Sequence, residues 1–328
     1  MDMKLSDLGE EEVVNQILSL VDKSLKGENL PPGDDARDVL IGNTKLIVSI
    51  DGYSIKSVKL PWRSISDVGW CAVTSVISDT ISKGGYPYII LASIGMPKEW
   101  SVNECLDLIK GIRDACNEYN IRFLGGDTNE SSDPWISVAS IGYTYVGKPP
   151  SRYNARPNDY IVVTGYYGAM GVVALDGIEK ASKLDWVVRY TRRPKLYTKL
   201  TDVIHRHSNY IHASMDVSDG LGYTLYTIAK LSNVSLKISK KPRYYHELNN
   251  YCSDEIKLWD YILSGGEEYG VVLSIGRSGV RKFCSELDRY DIPYEVIGRV
   301  SKRSKEYIEI AGYGSYTPKR WDQFKGWI

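Results

Sequence analysis

The sequence predicts a mixed α/β protein of two domains. At 328 residues it exceeds the ~250–300 residues at which a single hydrophobic core usually stops growing. Predicted strands and helices alternate in both halves of the chain. A polar segment at 148–159, with Pro149, Pro150 and Pro157, separates two apolar strands and is typical of a linker. We therefore expect domains at 1–148 and 149–328.

Composition narrows the classes of partner. The 41 basic and 41 acidic residues balance, so no nucleic-acid or anionic membrane partner is expected. The five cysteines are dispersed without a CxxC pair, which is typical of buried thiols in a reducing compartment. The N-terminus has no apolar signal segment, and the most apolar stretch, at 161–175, is too short to span a bilayer. We expect a cytoplasmic protein.

Hydrophobic periodicity predicts the elements of the first half in order. A helix is expected at 10–25, a loop at 27–37, a strand at 45–51, a helix at 67–83 and a strand at 88–94. Ser101 and Glu104 form a capping box that begins a long amphipathic helix. The next strand is expected to end at Gly125-Gly126-Asp127, and another follows at 135–146.

The second half repeats the alternation. We expect a strand at 160–164, a glycine-rich turn at 165–171 that opens a helix, a strand at 212–216 and a helix at 220–231. After Gly265-Gly266-Glu267-Glu268 come a strand at 269–275, a helix at 279–287, and closing strands at 294–300 and 307–310.

Carboxylates at the ends of these elements suggest a cation site. They are Asp34, Asp35, Asp51, Asp79, Asp127, Asp216 and Asp219. Two carboxylates about 5 Å apart repel by roughly 3 kcal/mol at an effective dielectric near 20, so a cluster of them needs cations or raised pKa values. Oxygen ligands without histidine or cysteine favour Mg²⁺ or Ca²⁺, and Mg²⁺ completed by substrate phosphates is usual in ATP-using enzymes.

A structural interpretation of the same motifs is also open. Asp beside Gly is common turn chemistry, and Ser218-Asp219 could simply cap the helix that follows. Spacing alone does not decide between the two. On the helix at 67–83, however, Ser75, Asp79 and Ser82 recur at helical spacing and share one polar face.

Other catalytic motifs find no support. The segment at 142–148 matches a P-loop as far as its lysine, but Pro149 stands where a Ser or Thr would hold magnesium. The four histidines lie near no carboxylate motif, and neither HExxH nor GxSxG occurs.

The order of the carboxylate motifs resembles the thiamine-monophosphate kinase family, within the superfamily named for aminoimidazole ribonucleotide synthetase. No single motif is specific, but the ordered set spans almost the whole chain. The matching segments are Leu5-Ser6-Asp7-Leu8-Gly9-Glu10, Gly33-Asp34-Asp35-Ala36, Ser49-Ile50-Asp51, Ser78-Asp79, Gly125-Gly126-Asp127-Thr128, Asp216-Val217-Ser218-Asp219-Gly220-Leu221, Gly265-Gly266-Glu267-Glu268-Tyr269 and Trp321-Asp322-Gln323-Phe324.

The resemblance implies transfer of the γ-phosphate of ATP to thiamine monophosphate, giving thiamine diphosphate, with several Mg²⁺ ions. It makes metal ligands, directly or through water, of Asp35, Ser49, Asp51, Asp79, Asp127, Asp216 and Asp219. It assigns ATP to Gly126, Asp127, Arg152 and Ser218, the thiamine moiety to Glu267 and Trp321, and catalytic positions to Asp35, Asp127 and Asp219.

The resemblance also implies a two-domain α/β (α+β) fold like that of the synthetase. The N-terminal domain would pair with a second subunit and form a β-barrel at a homodimer interface. The chemistry is consistent with this sequence: a phosphate acceptor with a second pKa of about 6 is already ionised at neutral pH and needs no general base. The lack of histidine at the motifs agrees with a reaction that needs no general base.

Departures from the family pattern concentrate in the acceptor half. Ile50 stands where threonine is usual, Val58 where a substrate-contacting histidine is expected, Glu268 for aspartate and Gly270 for an acidic residue. Magnesium and ATP are thus better supported than thiamine. Two alternatives stay open: a phosphotransferase or ligase of the same superfamily with another acceptor, and a non-catalytic nucleotide-binding dimer.

Overall fold

The computed structural model describes residues 3–319 and 321–327, with the backbone alone at 321 and 327. The helices are α1 Leu5–Leu8, α2 Glu10–Leu18, α3 Ile55–Val58, α4 Ile65–Ser82, α5 Val102–Glu118, α6 Ala169–Asp176, α7 Ile178–Ala181, α8 Asp185–Arg192, α9 Leu200–His207, α10 Leu221–Leu231, α11 Glu247–Tyr251, α12 Glu255–Leu263 and α13 Val280–Arg289. A 3₁₀ turn follows α9 at Ser208–Tyr210.

The strands form two large sheets and one hairpin. They are β1 Arg37–Ile41, β2 Thr44–Ser54, β3 Tyr86–Met96, β4 Arg122–Glu130, β5 Trp135–Thr144, β6 Tyr160–Thr164, β7 Ile211–Asp216, β8 Val234–Ile238, β9 Val271–Ile275, β10 Tyr294–Lys302, β11 Ile308–Ile310, β12 Gly314–Tyr316, β13 Trp321–Asp322 and β14 Gly326–Trp327. The first sheet has the order β1-β2-β5-β3-β4, the second β12-β11-β8-β10-β6-β9-β7.

Helices α4 and α5 cover one face of the first sheet. α4 begins with a capping box in which Ser64 accepts from the Asp67 amide, and all its residues from Asp67 to its end are buried. The predicted Ser101–Glu104 capping box begins α5. Because successive strand side chains alternate, Ile136 and Val138 of β5 point into this core while their neighbours face the other side of the sheet.

The second sheet packs in two hydrophobic clusters, which also include Leu60 and Ile81 from the first half of the chain. Its central strands β6 and β9 are almost entirely buried. The mixed α/β prediction is confirmed. Among the described residues neither sheet closes into a barrel, so the predicted dimer barrel is not formed within one chain. The strands of the first sheet end at Thr144 and those of the second begin at Tyr160, while the limits 1–148 and 149–328 stay predictions.

Three local predictions were wrong. The N-terminal helix ends at Leu18 instead of residue 25, because the apolar residues beyond it, such as Leu20, face solvent and have nothing to pack against. Arg37, placed in a loop, begins β1, which pairs antiparallel with β2. The strand expected to end at Asp127 continues to Glu130, since β4 pairs parallel with β3 along that length.

No helix in the part of the chain that the structure describes has both the length and the hydropathy needed to cross a bilayer.

Candidate active site

The site lies where α4 of the first sheet meets the end of β7 in the second. Asp216 is the last residue of β7 and is buried. Its Oδ2 accepts a hydrogen bond of 2.5 Å from the hydroxyl of Ser78 on α4. Asp79 follows Ser78 on the same buried helix. The two motifs, 138 residues apart in the chain, therefore form one contact.

Strand β2 supplies the next polar groups. Asp51 points toward α4, where its Oδ2 accepts a hydrogen bond from Ser75. Two residues earlier on the same face of β2, Ser49 donates to the carbonyl of Val76 at 2.9 Å. The predicted polar face of α4 is thus real, because Ser75, Asp79 and Ser82 all lie along the inner side of the site.

The loop at 33–35 joins the site through a buried lysine. The Nζ of Lys83 lies 2.7 Å from Asp34 Oδ1 and 2.7 Å from Asp35 Oδ2. Arg152, from the segment between the sheets, lies 3.4 Å from Asp35 Oδ1. Ser82 also donates to Asp35, at 3.3 Å. Both carboxylates of the loop are therefore held by cations of the chain itself.

The carboxylates influence each other electrostatically. Burial raises the pKa of Asp79 well above its usual range, and the charges of Asp216, Asp51 and Asp35 raise it further. Burial and Asp35 do the same to the pKa of Asp216, against the hydrogen bond from Ser78. These carboxylates thus share one low-dielectric region in which their negative charge is unfavourable without a cation.

Asp219 stands at the edge of this group, before α10. Burial of its carboxyl group, together with the nearby negative charges of Glu10 and Asp51, raises the pKa of Asp219 to about 6. Its side chain nevertheless reaches solvent. An exposed carboxylate next to buried ones is well placed to meet a ligand that enters from outside.

The two glycine-containing loops of the second half lie against each other. The amide of Glu267 donates to the Ser218 carbonyl at 2.7 Å, and Gly266 packs so closely that a Cβ there would stand 2.2 Å from the same oxygen. Glu267 and Tyr269 both have positive φ values, of 60° and 45°. Such strained backbone in non-glycine residues is typical of functional loops held by their surroundings.

Arg63 fixes Glu267, which the resemblance assigns to the acceptor. It is fully buried, and its Nη1 lies 2.7 Å from Glu267 Oε2. The same guanidinium donates to the carbonyl of Val58 at 2.9 Å and to the Thr191 carbonyl. The altered residue Val58 and the predicted acceptor residue Glu267 are therefore connected through one arginine.

A tyrosine stands beside that arginine. The Tyr53 hydroxyl is buried without a hydrogen-bond partner in the described part of the chain. Burial raises the pKa of Tyr53 well above its usual range, and the nearby Cys71 and Glu267 raise it further.

Glu268 has a structural role. Its carboxylate accepts from the amides of Gly168 at 2.8 Å and Met170 at 3.1 Å, at the start of α6. Burial raises the pKa of Glu268 to about 8, against these amide hydrogen bonds.

Asp127 and Gly126 do not reach the cluster within one chain. Asp127 is exposed on β4, and its Oδ2 accepts from the Asn129 side chain at 2.9 Å. Across the sheet, Asp127 pairs with Ser93 of β3, Ser93 pairs with Ser137 of β5, and Ser137 pairs with Gly52 of β2. Three strand spacings of about 4.8 Å put its backbone roughly 14 Å from β2. Gly126 lies so close to β3 that a Cβ would meet the Ala92 carbonyl at 1.6 Å.

The side chain of Trp321 lies outside the described residues. The backbone of its hairpin, β13–β14, returns to the N-terminus: the Glu10 amide donates to Asp322 Oδ2 at 2.8 Å. The C-terminal motif thus meets the first matching motif of the chain.

Two residues of the site were not predicted from the sequence. Lys83 follows an apolar helix and precedes two glycines, where a lysine ordinarily faces solvent near the helix C-terminus. Arg63 belongs to no motif. Only the tertiary contacts of these residues distinguish them from surface cations.

The donor set suits a hard divalent cation. It consists of carboxylate and hydroxyl oxygens, with no histidine or cysteine among the predicted ligands. In the described residues, no three His, Cys, Asp or Glu side chains are close enough together to hold an ion by themselves. Mg²⁺ usually binds through one or two carboxylates plus water and substrate phosphates, so the residues are chemically compatible with it.

Known proteins match along the whole chain. Residues 33–144 match the family described as AIR synthase related protein, N-terminal domain. A thiamine-monophosphate kinase from Aquifex aeolicus is 29% identical over 327 residues, 98% of this chain and 100% of that protein. One from Pyrococcus horikoshii is 26% identical over 324 residues, 98% of each chain. The solved structure of AaThiL complexed with AMPPCP and TMP is 26% identical, with a TM-score of 0.82 over 98% of this chain and 99% of that chain. The predicted resemblance is confirmed.

Proposed function

We propose that this chain, which matches thiamine-monophosphate kinases along its whole length, phosphorylates thiamine monophosphate with ATP. An oxygen of the acceptor phosphate would attack the γ-phosphorus of ATP. The bond from that phosphorus to the β,γ-bridging oxygen would break, and ADP and thiamine diphosphate would leave. The complex of AaThiL with AMPPCP, an ATP analogue, and TMP supports this pair of substrates.

The observation that best supports the proposal is the meeting of acidic motifs from both halves of the chain. Asp216 of the second sheet bonds Ser78 of α4, beside Asp79, Asp51 and Asp35. A turn or helix-cap role for each motif does not explain why distant carboxylates share one buried region. Binding of a cation and of phosphates does explain it.

We assign the metal ligands as the sequence predicts. They are Asp35, Ser49, Asp51, Asp79, Asp127, Asp216 and Asp219. When bound there, Mg²⁺ would neutralise phosphate charge and polarise the transferred group. Gly126, Asp127, Arg152 and Ser218 would bind ATP. Arg152 is suited to this because its bond to Asp35 is long and its side chain is partly exposed.

The catalytic work of the protein is then alignment. A phosphate acceptor is ionised at neutral pH, so no side chain has to remove a proton from it. Asp35, Asp127 and Asp219 would act by holding cations and phosphates in line. Glu267 would orient the acceptor, since Arg63 fixes its carboxylate. Trp321 would cover the thiamine moiety.

A homodimer is part of the proposal, because the first sheet has an open apolar face. Ile50, Ala139 and Leu91 are in register across three adjacent strands. Ile50 is 70% exposed and Leu91 38%. Contiguous apolar side chains on an uncovered sheet are typical of an interface. A second copy packed on this face would form the predicted barrel and would cover the side on which Asp127 lies.

The cysteines support a cytoplasmic location for this enzyme. All five are free in the structure, and Cys71 and Cys116 are buried. Free buried thiols are usual in reducing compartments.

A coupled ADP-release assay with ATP, Mg²⁺ and thiamine monophosphate tests the proposal, with EDTA as the control and mass detection of thiamine diphosphate. Product that disappears with EDTA is the expected result. Absence of product together with turnover of another acceptor would overturn the assignment of the substrate. ATP binding without transfer to any acceptor would leave only a nucleotide-binding dimer.

A second acceptor is the alternative that the structure favours most. Val58 replaces the expected histidine, and its backbone is tied to Arg63. Beside Arg63, the buried Tyr53 hydroxyl has no hydrogen-bond partner among the described residues, so it could serve a different acceptor. A panel of phosphate, amine and carboxylate acceptors in the same assay distinguishes a changed substrate from an inactive protein.

A further inference from the structure

We propose that Lys83 is an internal cation of the acidic cluster. It positions Asp34 and Asp35, and it supplies charge that a divalent ion would otherwise have to supply at this end of the site. This inference rests on the proposed function for its metal ion, but its evidence is the geometry of the lysine.

The ammonium group of Lys83 is fully engaged. It has three N–H donors, and it has three partners: Asp34 Oδ1, Asp35 Oδ2 and the carbonyl of Ser214, each at 2.7 Å. The residue is 0% exposed. A lysine that is completely buried and fully hydrogen-bonded to fixed partners has no freedom to reach a substrate. It is therefore a positioning residue.

Lys83 joins three segments of the chain. It caps the C-terminus of α4, Asp34 and Asp35 belong to the loop before β1, and Ser214 lies in β7 of the second sheet. The C-terminal end of a helix has partial negative charge, which favours a cation there. One side chain thus fixes the loop against the same helix and strand that hold Asp79 and Asp216.

The contacts also decide which carboxylate oxygens remain available. Asp34 Oδ1 contacts Lys83 and accepts from the Asp35 amide, and its Oδ2 accepts from the Arg152 amide at 3.3 Å. Asp35 Oδ2 contacts Lys83 and Ser82. Asp35 Oδ1, which lies 3.4 Å from the Arg152 guanidinium, is the more weakly held oxygen of Asp35. We infer that Asp34 is a partner of Lys83 and that Asp35 offers a single oxygen to a metal ion.

The chain contains a matched control for this inference. Lys45 is also buried, and its Nζ lies 2.8 Å from Asp38 Oδ2, at a fully buried carboxylate. It also donates to Gly27, Asn29 and Gly147, outside the acidic cluster. Lys45→Met and Lys83→Met therefore each remove one buried positive charge. The charge of Lys45 lies outside the acidic cluster, and that of Lys83 lies inside it.

The experiment is thermal unfolding of the full-length wild type and both variants, in EDTA and in Mg²⁺. In EDTA both variants should melt below the wild type, because each leaves buried carboxylate without its partner. Addition of Mg²⁺ should raise the melting temperature of Lys83→Met more than that of the wild type. It should raise that of Lys45→Met no more than that of the wild type. Equal Mg²⁺ shifts for the two variants would overturn the proposal.

A second variant keeps the test decisive if Lys83→Met does not fold. Lys83→Met/Asp34→Asn removes the lysine together with one carboxylate and should fold. Its Mg²⁺ shift should exceed that of Asp34→Asn, which lacks the same carboxylate but keeps the lysine, and a shift no larger would contradict the role of Lys83. Neither measurement requires turnover. A failed kinase assay would therefore refute the proposed function and leave this result unaffected, and the reverse also holds.

Discussion

Two acidic motifs of the same type end in opposite environments. Asp216 and Asp127 each stand on a strand near small residues, and both are predicted metal ligands. Asp216 is buried against α4 and bonded to Ser78. Asp127 lies on an exposed edge strand, on the opposite side of its sheet from α4, with Asn129 as its partner.

The difference comes from what packs over each strand end. Helix α4 covers Asp216, so its charge interacts with Asp35 and Asp51 at low dielectric. Nothing in the described chain covers the side of the sheet that Asp127 faces. One half of the site is thus formed within a single chain, while the other is expected to be complete only in a dimer.

Asp216→Asn should have the largest effect on activity. It keeps the shape of the side chain but removes a charge at the centre of the cluster. Turnover should be lost, which exceeds the ~10- to 100-fold decrease usual for residues that only orient a ligand. The melting temperature in EDTA should not fall, because burial and Asp35 make the charged form unfavourable in the fold.

Asp107→Asn is the control for that variant, because Asp107 is half-exposed on α5 and its one ion pair among the described residues is with Lys110, at 2.9 Å. It should change neither turnover nor melting. A clear loss of stability in Asp216→Asn would show that the carboxylate stabilises the fold without a metal ion.

Asp127→Asn tests the role of the exposed carboxylate on β4. Because Asp127 is exposed and has no ion pair among the described residues, the melting temperature should stay the same. Transfer should be lost by removal of a metal ligand, although Asp127 is far from Asp216 within one chain. Kinetics at saturating ATP, beside thermal melts, measure both effects. Unchanged turnover would place β4 outside the active site.

Ile50→Asp asks whether a second copy completes the site. A charge buried in a dimer interface without a partner costs about 3–5 kcal/mol, so the variant should become monomeric and lose activity. Light scattering gives the mass, and the ADP-release assay gives the activity. Leu106→Asp is the control, since Leu106 is 47% exposed on α5, on the covered side of the sheet. A monomeric wild type would contradict the dimer, and a dimeric Ile50→Asp would show that the interface does not use this face of the sheet.

Much of the fold follows from local pattern. The polar face of α4 and the Ser101 capping box were predicted correctly because side-chain periodicity and end signals are properties of a short segment. The motif order also identified the residues that meet at Asp216. The order of the motifs along the chain is enough for such predictions when each motif lies at the end of a helix or a strand.

The features that could not be predicted from the sequence depend on long-range packing. Lys83 resembles any lysine at the end of a helix until the loop at 33–35 folds against it. The continuation of β4 past Asp127 requires the pairing with β3, and that pairing is not visible in the residues of β4 itself. The helix at 10–25 stops at Leu18 because no surface covers its last apolar residues.

Ser78→Ala should give the smallest of these effects, and it tests whether Ser78 orients the buried carboxylate of Asp216. Ser78 does not need to touch a ligand, since its hydroxyl orients Asp216 through a hydrogen bond of 2.5 Å. Loss of an orienting partner should lower kcat/KM by about 10- to 100-fold and raise the Mg²⁺ concentration needed for half-maximal rate. Thr80→Val is the matched control, because it removes another buried hydroxyl of α4, which pairs with Ser140 at 2.9 Å outside the cluster. Both variants should lose about 1 kcal/mol of stability, the usual contribution of one hydrogen bond. Only Ser78→Ala should change the Mg²⁺ dependence, and the same change in Thr80→Val would mean that α4 responds as a whole, so that Ser78 has no specific role.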